Sequence, residues 1–238
     1  CGTPVLAAQP SQPAAGFQTG MLPPKTVLAG RYIILRTIGR GGMGAVYETA
    51  DQRIQGKKWA VKELSDAGLL TPQERQNAVA GFMKEAEMLA TLSHQNLPAV
   101  SDFFTEGGKH YLVMEYIEGE TLEDTLASSQ GFLPETLVMG WIDQICDVLS
   151  YLHAHKPPVV FRDLKPSNVM VDTRGRIKLI DFGIARFFKT GKASDTQAMG
   201  TPGYAAPEQF GTGQTDARSD VYSLGVLLHQ LLTRYEPW

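Results

Sequence analysis

The feature that most constrains this chain is a short polar segment, Phe161–Asn168, which reads FRDLKPSN and is followed by DFG at Asp181–Gly183. By composition alone, an Asp, a Lys, a Pro and an Asn at these spacings would occur in roughly one chain per thousand of this size. A generic polar loop followed by a turn does not explain the order of the residues. The pattern therefore indicates a site with a chemical role.

A glycine cluster lies much earlier in the chain. Gly39, Gly41 and Gly44 follow a β-rich run at Tyr32–Leu35 and precede another at Ala45–Glu48. Glycines at this spacing let the backbone of a hairpin lie against phosphates with no Cβ in the way. The pattern alone is weak, since composition gives roughly 0.2 chance matches per chain and an ordinary flexible hairpin would look the same. Because a strand follows the glycines, it does not fit a dinucleotide-binding fold, which requires a helix there.

A lysine and a glutamate form the next candidate pair. In the predicted strand Lys58–Leu64, Ala60 and Lys62 share one face. A lone lysine in a strand is usually a solvated edge residue. Here, however, the following helix carries Glu85 on its apolar side, where an unpaired carboxylate would be costly. We therefore expect Lys62 and Glu85 to form an ion pair.

The remaining patterns predict two lobes in an α+β fold. Residues 1–30 are rich in Pro, Ala, Gln and Gly and are interpreted as a flexible linker or the tail of an upstream domain. Residues 31–115 read as a small antiparallel β lobe with one main helix, which starts at Thr71-Pro72. Residues 116–238 read as a mostly helical large lobe.

Three segments of the large lobe stand out. Apolar periodicity through Leu137–Leu152 predicts a long buried helix. Residues 184–217 carry little periodicity, and a loop of that length inside a compact domain is usually functional. The last helix, from about Asp216 through Leu232, is apolar nearly all round, which predicts packing partners on every side. We therefore expect the domain to continue beyond Trp238, with the partner of Glu208 in the missing part.

Composition argues against several functional classes. The 238 residues carry a formal net charge of −3 with mixed signs, so nothing favours nucleic-acid binding or an anionic membrane surface. No apolar run approaches the roughly 20 residues that span a bilayer. With two cysteines, a disulfide framework is excluded in practice. Cys146 lies among apolar residues at helical spacing and is interpreted as a buried structural thiol.

Taken together, the motifs resemble those of the protein kinase superfamily from Tyr32 to the last residue. They occur in family order: glycine-rich loop, strand lysine, helix glutamate, catalytic loop, Asp-Phe-Gly, then Ala206–Glu208 and Asp220 in the following helix. The resemblance implies a bilobal kinase fold with ATP bound between the lobes. It also implies Mg²⁺, with Mn²⁺ as an alternative, and protein substrates that offer a hydroxyl group.

The resemblance further implies roles for individual side chains. Lys62, positioned by Glu85, would hold the α- and β-phosphates. Asp163 would accept the proton of the substrate hydroxyl, and Lys165 would neutralise the transferring γ-phosphoryl. The implied metal ligands are Asn168, which also counts among the catalytic residues, and Asp181.

The nucleotide site implied by the resemblance has a roof, a floor and a hinge. Val46 and Ala60 would lie above the adenine and Met170 beneath it, with Met114 as the gatekeeper. The hinge from Glu115 to Ile117 would bond the adenine edge through its backbone. The whole implied set is Ile38, Gly39, Arg40, Gly41, Gly42, Met43, Gly44, Val46, Ala60, Lys62, Met114, Glu115, Ile117, Met170 and Asp181.

Some positions resemble the serine/threonine branch of the superfamily. They are Lys165, two residues after the catalytic Asp163, and Thr201 within Gly200–Tyr204, which is assigned to the substrate-binding surface. The glycine-rich loop and the sequence PEQF at Pro207–Phe210 look most like bacterial relatives.

The resemblance also suggests how the activity of the enzyme is regulated. Arg162 precedes the catalytic aspartate, as in kinases controlled by phosphorylation of the activation loop. Ser194 and Thr196 lie where a phosphate could reach that arginine. Homodimerisation would permit autophosphorylation in trans, and the kinase domain would be cytoplasmic.

One departure and two alternatives remain open. The family's usual histidine before Arg162 is Phe161 here, which supplies apolar packing against Phe182 but not a hydrogen bond. A pseudokinase acting as a nucleotide-dependent scaffold is the first alternative, although each catalytic position holds the standard residue type. A small-molecule phosphotransferase is the second, although such enzymes typically lack the glycine-rich loop and the Ala-Pro-Glu segment.

Overall fold

The structure, a computed structural model, describes residues 22–41, 44–64, 71–182, 186–187, 200–211 and 214–237. Two sets of elements, one mostly β and one mostly α, form the two lobes that the sequence predicts. The α+β bilobal architecture is confirmed.

A six-stranded antiparallel sheet forms the small lobe. Its strands pair in the order β1-β2-β3-β4-β6-β5, so most neighbours in space are also neighbours in sequence. Helix α1, Pro72–Thr91, lies between β4 and β5 in the chain. The strands are β1 Val27–Leu28, β2 Tyr32–Gly41, β3 Gly44–Asp51, β4 Lys58–Leu64, β5 Val100–Glu106 and β6 Lys109–Glu115.

The sheet begins earlier than the sequence indicated. Strand β1 pairs with β2, the backbone N–H of Lys25 donates to the carbonyl of Ile34, and the N–H of Ile34 donates to Thr26. Regular backbone hydrogen bonding therefore starts before residue 31, because residues with no apolar periodicity of their own are held by backbone hydrogen bonds to their neighbour; the expected domain start at residue 31 stays a prediction. A tight turn joins β5 and β6, and Gly107 and Gly108 supply its two positive φ angles, 58° and 78°.

The small-lobe sheet has a core on each face. Because side chains alternate along a strand, Val61 faces outward and Ala60 inward. The inner face packs against α1 through Phe82 and Leu89 and joins the core of the large lobe. The buried outer cluster comprises Leu28, Tyr32, Ile34, Ala45, Tyr47, Val61, Tyr111 and Val113.

The large lobe is built on a long central helix, α3, whose apolar stripe is buried as predicted from Trp141 to Leu152, whereas Leu137, the first residue of the predicted stripe, is exposed. Helix α2 starts at Thr121, whose side chain accepts from the N–H of Asp124 in a capping box. No helix within the described part of the chain has the length and apolarity of a membrane span. The elements are β7 Gly119–Thr121, α2 Leu122–Ser128, α3 Glu135–Ala154, β8 Val159–Val160, a 3₁₀ turn Pro166–Asn168, β9 Val169–Asp172, β10 Ile177–Leu179, β11 Arg186–Phe187, α4 Pro207–Phe210 and α5 Ala217–Thr233.

A three-stranded sheet, ordered β10-β9-β7, forms the surface of the large lobe that faces the small lobe. At its edge, a Cβ on Gly119 would lie 2.0 Å from the carbonyl oxygen of Val171. Only glycine fits this approach. The chain segment that connects the lobes is thus fixed against β9.

One expectation about burial is wrong. Cys146 is exposed, because it follows the buried Ile145 by one residue and so turns toward the solvent face of α3. Helix α5 leaves Val221 61% exposed in the described part of the chain, so the expected packing partners on its every side stay a prediction. Its buried side includes the polar Ser219 and Asp220, which serve the site described next.

Candidate active site

A cleft of about 660 Å³ lies between the small-lobe sheet and the β10-β9-β7 sheet. Gly41 ends β2 beside it, and Gly42 and Met43 lie outside the described residues. Most of the predicted nucleotide-binding residues therefore come together in one place. Those that line the cleft are Ile38, Gly39, Arg40, Gly44, Val46, Ala60, Lys62, Met114, Glu115, Ile117, Asn168, Met170 and Asp181.

The register of the small-lobe strands explains how distant residues form the roof. In an antiparallel sheet, directly opposed residues have their side chains on the same face. Val46 pairs with Lys62 and with Gly39, and Ala60 pairs with Met114. A Cβ at Gly39 would lie 3.8 Å from the Cβ of Val46, an ordinary contact distance, so the packing against Val46 does not itself require a glycine.

Lys62 joins the two lobes through an ion pair. Its Nζ lies 3.3 Å from Oδ1 of Asp181, and its side chain is 10% exposed. Asp181 follows strand β10 of the large lobe, so the contact crosses the cleft. The predicted partner Glu85 lies in α1, and its side chain is not among those described. The Lys62–Glu85 pair therefore stays a prediction.

The fully buried Asp220 of α5 holds the backbone of the catalytic loop. Its Oδ2 accepts the N–H of Phe161 at 2.9 Å, and its Oδ1 accepts the N–H of Arg162 at 2.7 Å. His153 Nε2 lies 2.7 Å from the same carboxylate. Arg162 has a φ of 72°, a left-handed conformation that costs a non-glycine residue about 1–3 kcal/mol and persists only when its surroundings enforce it. The hydrogen bonds to Asp220 hold Arg162 in this conformation. They therefore also fix the position of the neighbouring Asp163.

Three side chains surround the carboxylate of Asp163. Its Oδ1 accepts the hydroxyl of Thr201 at 2.7 Å. Its Oδ2 accepts Nδ2 of Asn168 at 2.9 Å and lies 3.1 Å from Nζ of Lys165. Lys165 also donates to the hydroxyl of Thr201 at 2.8 Å. The carboxylate is therefore oriented from both of its oxygens, next to a cation.

Arg162 is buried under the catalytic loop, with 3% of its surface exposed. Burial lowers the pKa of its guanidinium, and the nearby carboxylate of Asp220 raises it. The carbonyl of Arg162 accepts Nε2 of Gln209 at 2.8 Å, which ties the loop to α4. Ser194 and Thr196 lie outside the described residues, so their contact with Arg162 stays a prediction.

The unusual Phe161 packs against Phe182. Their ring centroids lie 5.0 Å apart at 80°, an edge-to-face arrangement, and both rings are buried. Such pairs contribute about 0.5–1.5 kcal/mol beyond the area they bury. The pair therefore supplies the apolar contact that was expected between these two residues.

The residues present fit a magnesium ion. Asn168 and Asp181 both line the cleft and offer an amide oxygen and a carboxylate, the hard oxygen donors that Mg²⁺ prefers. Among the described residues, no group of three or more His, Cys, Asp and Glu could hold a metal.

Sequence reasoning missed two features of the site. Thr201 was assigned to the substrate-binding surface, but its hydroxyl bonds Asp163 directly, and the spacing of 38 residues gave no signal for this contact. The cleft also has an acidic lower rim, Glu120, Glu123 and Asp124, at the start of α2. The capping-box pattern at Thr121 could have located it.

Comparison with known proteins gives a consistent result. Residues 32–238 match the protein kinase domain family. A probable serine/threonine-protein kinase of Streptomyces coelicolor is 40% identical over 218 residues, which cover 89% of this chain and 31% of that protein. The serine/threonine-protein kinase PrkC of Bacillus subtilis is 34% identical over 212 residues, which cover 89% of this chain and 32% of PrkC.

The similarity also extends to a plant protein. The calmodulin-binding receptor-like cytoplasmic kinase 2 of Arabidopsis thaliana is 38% identical over 209 residues, 84% of this chain and 49% of that protein. The chain spans about a third of the length of the bacterial relatives it matches. The predicted likeness to bacterial serine/threonine kinases is confirmed, and the chain belongs to the protein kinase domain family.

Proposed function

We propose that this chain is the catalytic domain of a serine/threonine protein kinase, which transfers the γ-phosphoryl group of ATP to a Ser or Thr hydroxyl of a protein. The observation that carries the proposal is the network of Asp163, Lys165, Asn168 and Thr201 at one end of the cleft. The opposite wall holds Lys62 in contact with Asp181.

The chemistry needs positioning and charge neutralisation more than covalent help from the protein. Asp163 is oriented to accept the proton of the incoming hydroxyl, while Lys165 offsets the charge of the phosphoryl group in transfer. Lys62 binds the remaining phosphates. Magnesium bound by Asn168 and Asp181 would neutralise the β- and γ-phosphates.

The relatives support a Ser or Thr acceptor, since their names are those of serine/threonine-protein kinases. The contacts of Thr201 support the position of the acceptor. Its hydroxyl bonds both Asp163 and Lys165, so the segment Gly200–Tyr204 is fixed beside the proposed base, where the acceptor would bind.

Further proposals concern switching and location. Phosphorylation of Ser194 or Thr196 would activate the enzyme, and a transient homodimer would carry out this reaction in trans. We also propose that the domain acts in the cytoplasm, and that Mn²⁺ can replace Mg²⁺.

The proposal is tested with two proteins, the wild type and Asp163→Asn. Each is incubated with radiolabelled ATP, Mg²⁺ and a generic protein acceptor, followed by phosphoamino-acid analysis, and ADP binding is measured by calorimetry. The wild type should label Ser or Thr, and Asp163→Asn should bind ADP normally but transfer almost no phosphate. An inactive wild type that binds ADP would favour a pseudokinase. Wild-type turnover in Asp163→Asn would remove Asp163 from the role of base.

A further inference from the structure

A buried lysine outside the predicted site lies directly beneath the hinge. Lys178 is the middle residue of β10, and its side chain is 8% exposed. Burying a cation is costly unless it is well paired, so the partners of Lys178 indicate which parts of the structure it stabilises. Its Nζ donates to Oε2 of Glu115 at 2.8 Å and to the carbonyl of Leu97 at 3.0 Å.

These two acceptors belong to the other side of the cleft. Glu115 ends β6 and opens the segment that joins the lobes, and Leu97 lies in the loop between α1 and β5. The same Oε2 of Glu115 also accepts the backbone N–H of Ala99 at 3.3 Å. One ammonium group of the large lobe therefore holds two segments of the small lobe together.

The backbone around Lys178 reinforces this contact. The N–H of Leu179 donates to the carbonyl of Asn96 at 3.0 Å, and Nδ2 of Asn96 donates to the carbonyl of Ile177 at 2.7 Å. Strand β10 therefore runs along the loop between α1 and β5 as a continuous contact. Lys178 is the charged member of that contact.

Lys178 is not among the described residues that line the cleft, but two residues beside it are. Glu115 lines the cleft, as does Met170, the cross-strand partner of Lys178 in β9. Removal of the ammonium group would thus change nothing that touches a nucleotide directly. It would release the carboxylate of Glu115, whose backbone forms the start of the hinge.

We propose that Lys178 is a positioning residue for the nucleotide: it fixes Glu115 and the loop at Leu97, and so holds the hinge in the geometry that receives the base. This inference rests on the proposed binding of ATP in the cleft. Strand β10 leads directly to Asp181, and the Lys178–Glu115 pair joins this strand to the hinge that would bind the base. Strand β10 would thereby position the groups that contact both ends of the nucleotide.

The test is a double-mutant cycle on nucleotide affinity. Lys178→Met, Glu115→Gln and the double variant are compared with the wild type by calorimetric titration with MgADP, which needs no phosphoryl transfer. Lys178→Met should weaken ADP binding about tenfold. The double variant should lose clearly less than the product of the two single losses, because each change already breaks the same pair. In steady-state assays the KM for ATP should rise more than kcat falls.

Two further variants separate positioning from general destabilisation. Lys178→Arg keeps a cation and should recover part of the affinity. Arg176→Met removes a cation two residues away, from an exposed pair with Asp172, and should bind ADP as the wild type does. Melting temperatures without nucleotide are measured for all of them. If Lys178→Met does not fold, Glu115→Gln and Lys178→Arg provide the comparison.

Three outcomes would overturn the inference or its basis. Wild-type ADP affinity in Lys178→Met, even with a lowered melting temperature, would make the lysine purely structural. Independent effects of the two single changes would show that the pair does not act as a unit. A wild type that fails to bind ADP would instead contradict the proposed function itself.

Discussion

The hydroxyl of Thr201 donates a 2.7 Å hydrogen bond to Oδ1 of Asp163. The contact joins residues that are far apart in sequence, and Nζ of Lys165 bonds the same hydroxyl. A residue outside the loop that carries Asp163 therefore takes part in orienting the carboxylate proposed as the base.

Replacement of Thr201 by valine should lower kcat by about a hundredfold, because loss of the hydroxyl lets Asp163 and Lys165 shift relative to the acceptor. Thr201→Ser keeps the hydroxyl and should stay within a few-fold of the wild type. ADP affinity should be unchanged in both. Normal turnover by Thr201→Val would show that the contact has no catalytic role.

Lys62→Met should abolish most activity, and Glu85→Gln should remove much of it, if Glu85 positions Lys62. A double-mutant cycle on kcat/KM should then give a coupling energy of about 0.5–3 kcal/mol. Lys57→Met is the matched control, since this exposed lysine next to the same strand lies over the ring of Trp59 and is not among the described residues that line the cleft. Additive effects of the Lys62 and Glu85 changes would contradict the predicted pair.

Mass spectrometry of active protein should find phosphate on Ser194 or Thr196. A phosphate brings about −1.5 to −2 charges at neutral pH, enough to hold a loop segment against Arg162. The double variant Ser194→Ala/Thr196→Ala should therefore be several-fold less active than the wild type. Full activity of that variant would contradict the proposed activation by phosphorylation.

The small lobe should lose stability in acid through Asp51. The Arg31 guanidinium, 2.7 Å away, holds the pKa of this buried carboxyl well below its usual range. Because the folded-state pKa is below the unfolded value of about 3.9, Asp51 stabilises the fold above that pH, and the contribution is lost as the pH falls below it. Asp51→Asn should lower the melting temperature by a few degrees at pH 7.

The measurement that checks this prediction is the difference in melting temperature between the wild type and Asp51→Asn from pH 7 to pH 3. Taking the difference cancels the titration of other carboxyl groups, to the extent that the sites are independent. The difference should shrink below about pH 4. A constant difference would mean that the ionised form of Asp51 is not what stabilises the small lobe.

The parts of the site that the sequence predicted are those whose functional residues lie close together in short segments of the chain. The glycine-rich hairpin, the strand that carries Lys62 and the loop that carries Asp163 each have a local pattern, and their order along the chain was informative. The helix starts at Pro72 and at Ala217 were also predicted, because capping residues act on their immediate neighbours.

The features that were missed depend on contacts between distant segments. Lys178 reads as an ordinary strand lysine until β10 is placed beside the loop at Leu97. Strand β1 has too few residues to show an alternation of apolar and polar side chains. Only its pairing with β2 identifies it as a strand. The exposure of Cys146 depends on which side of α3 faces the core, a choice that an apolar helix does not reveal by itself.

The strand order of the small lobe has a consequence for how the chain folds. Nearly all of its pairings join segments adjacent in sequence, which lowers the entropy cost of closing loops and favours rapid assembly. The pairing of Gly119 with Asp172 instead spans α2 and α3 and must wait for them. During synthesis the small lobe can therefore form before the strands that complete the cleft emerge, so the nucleotide site is among the last parts of the domain to be assembled.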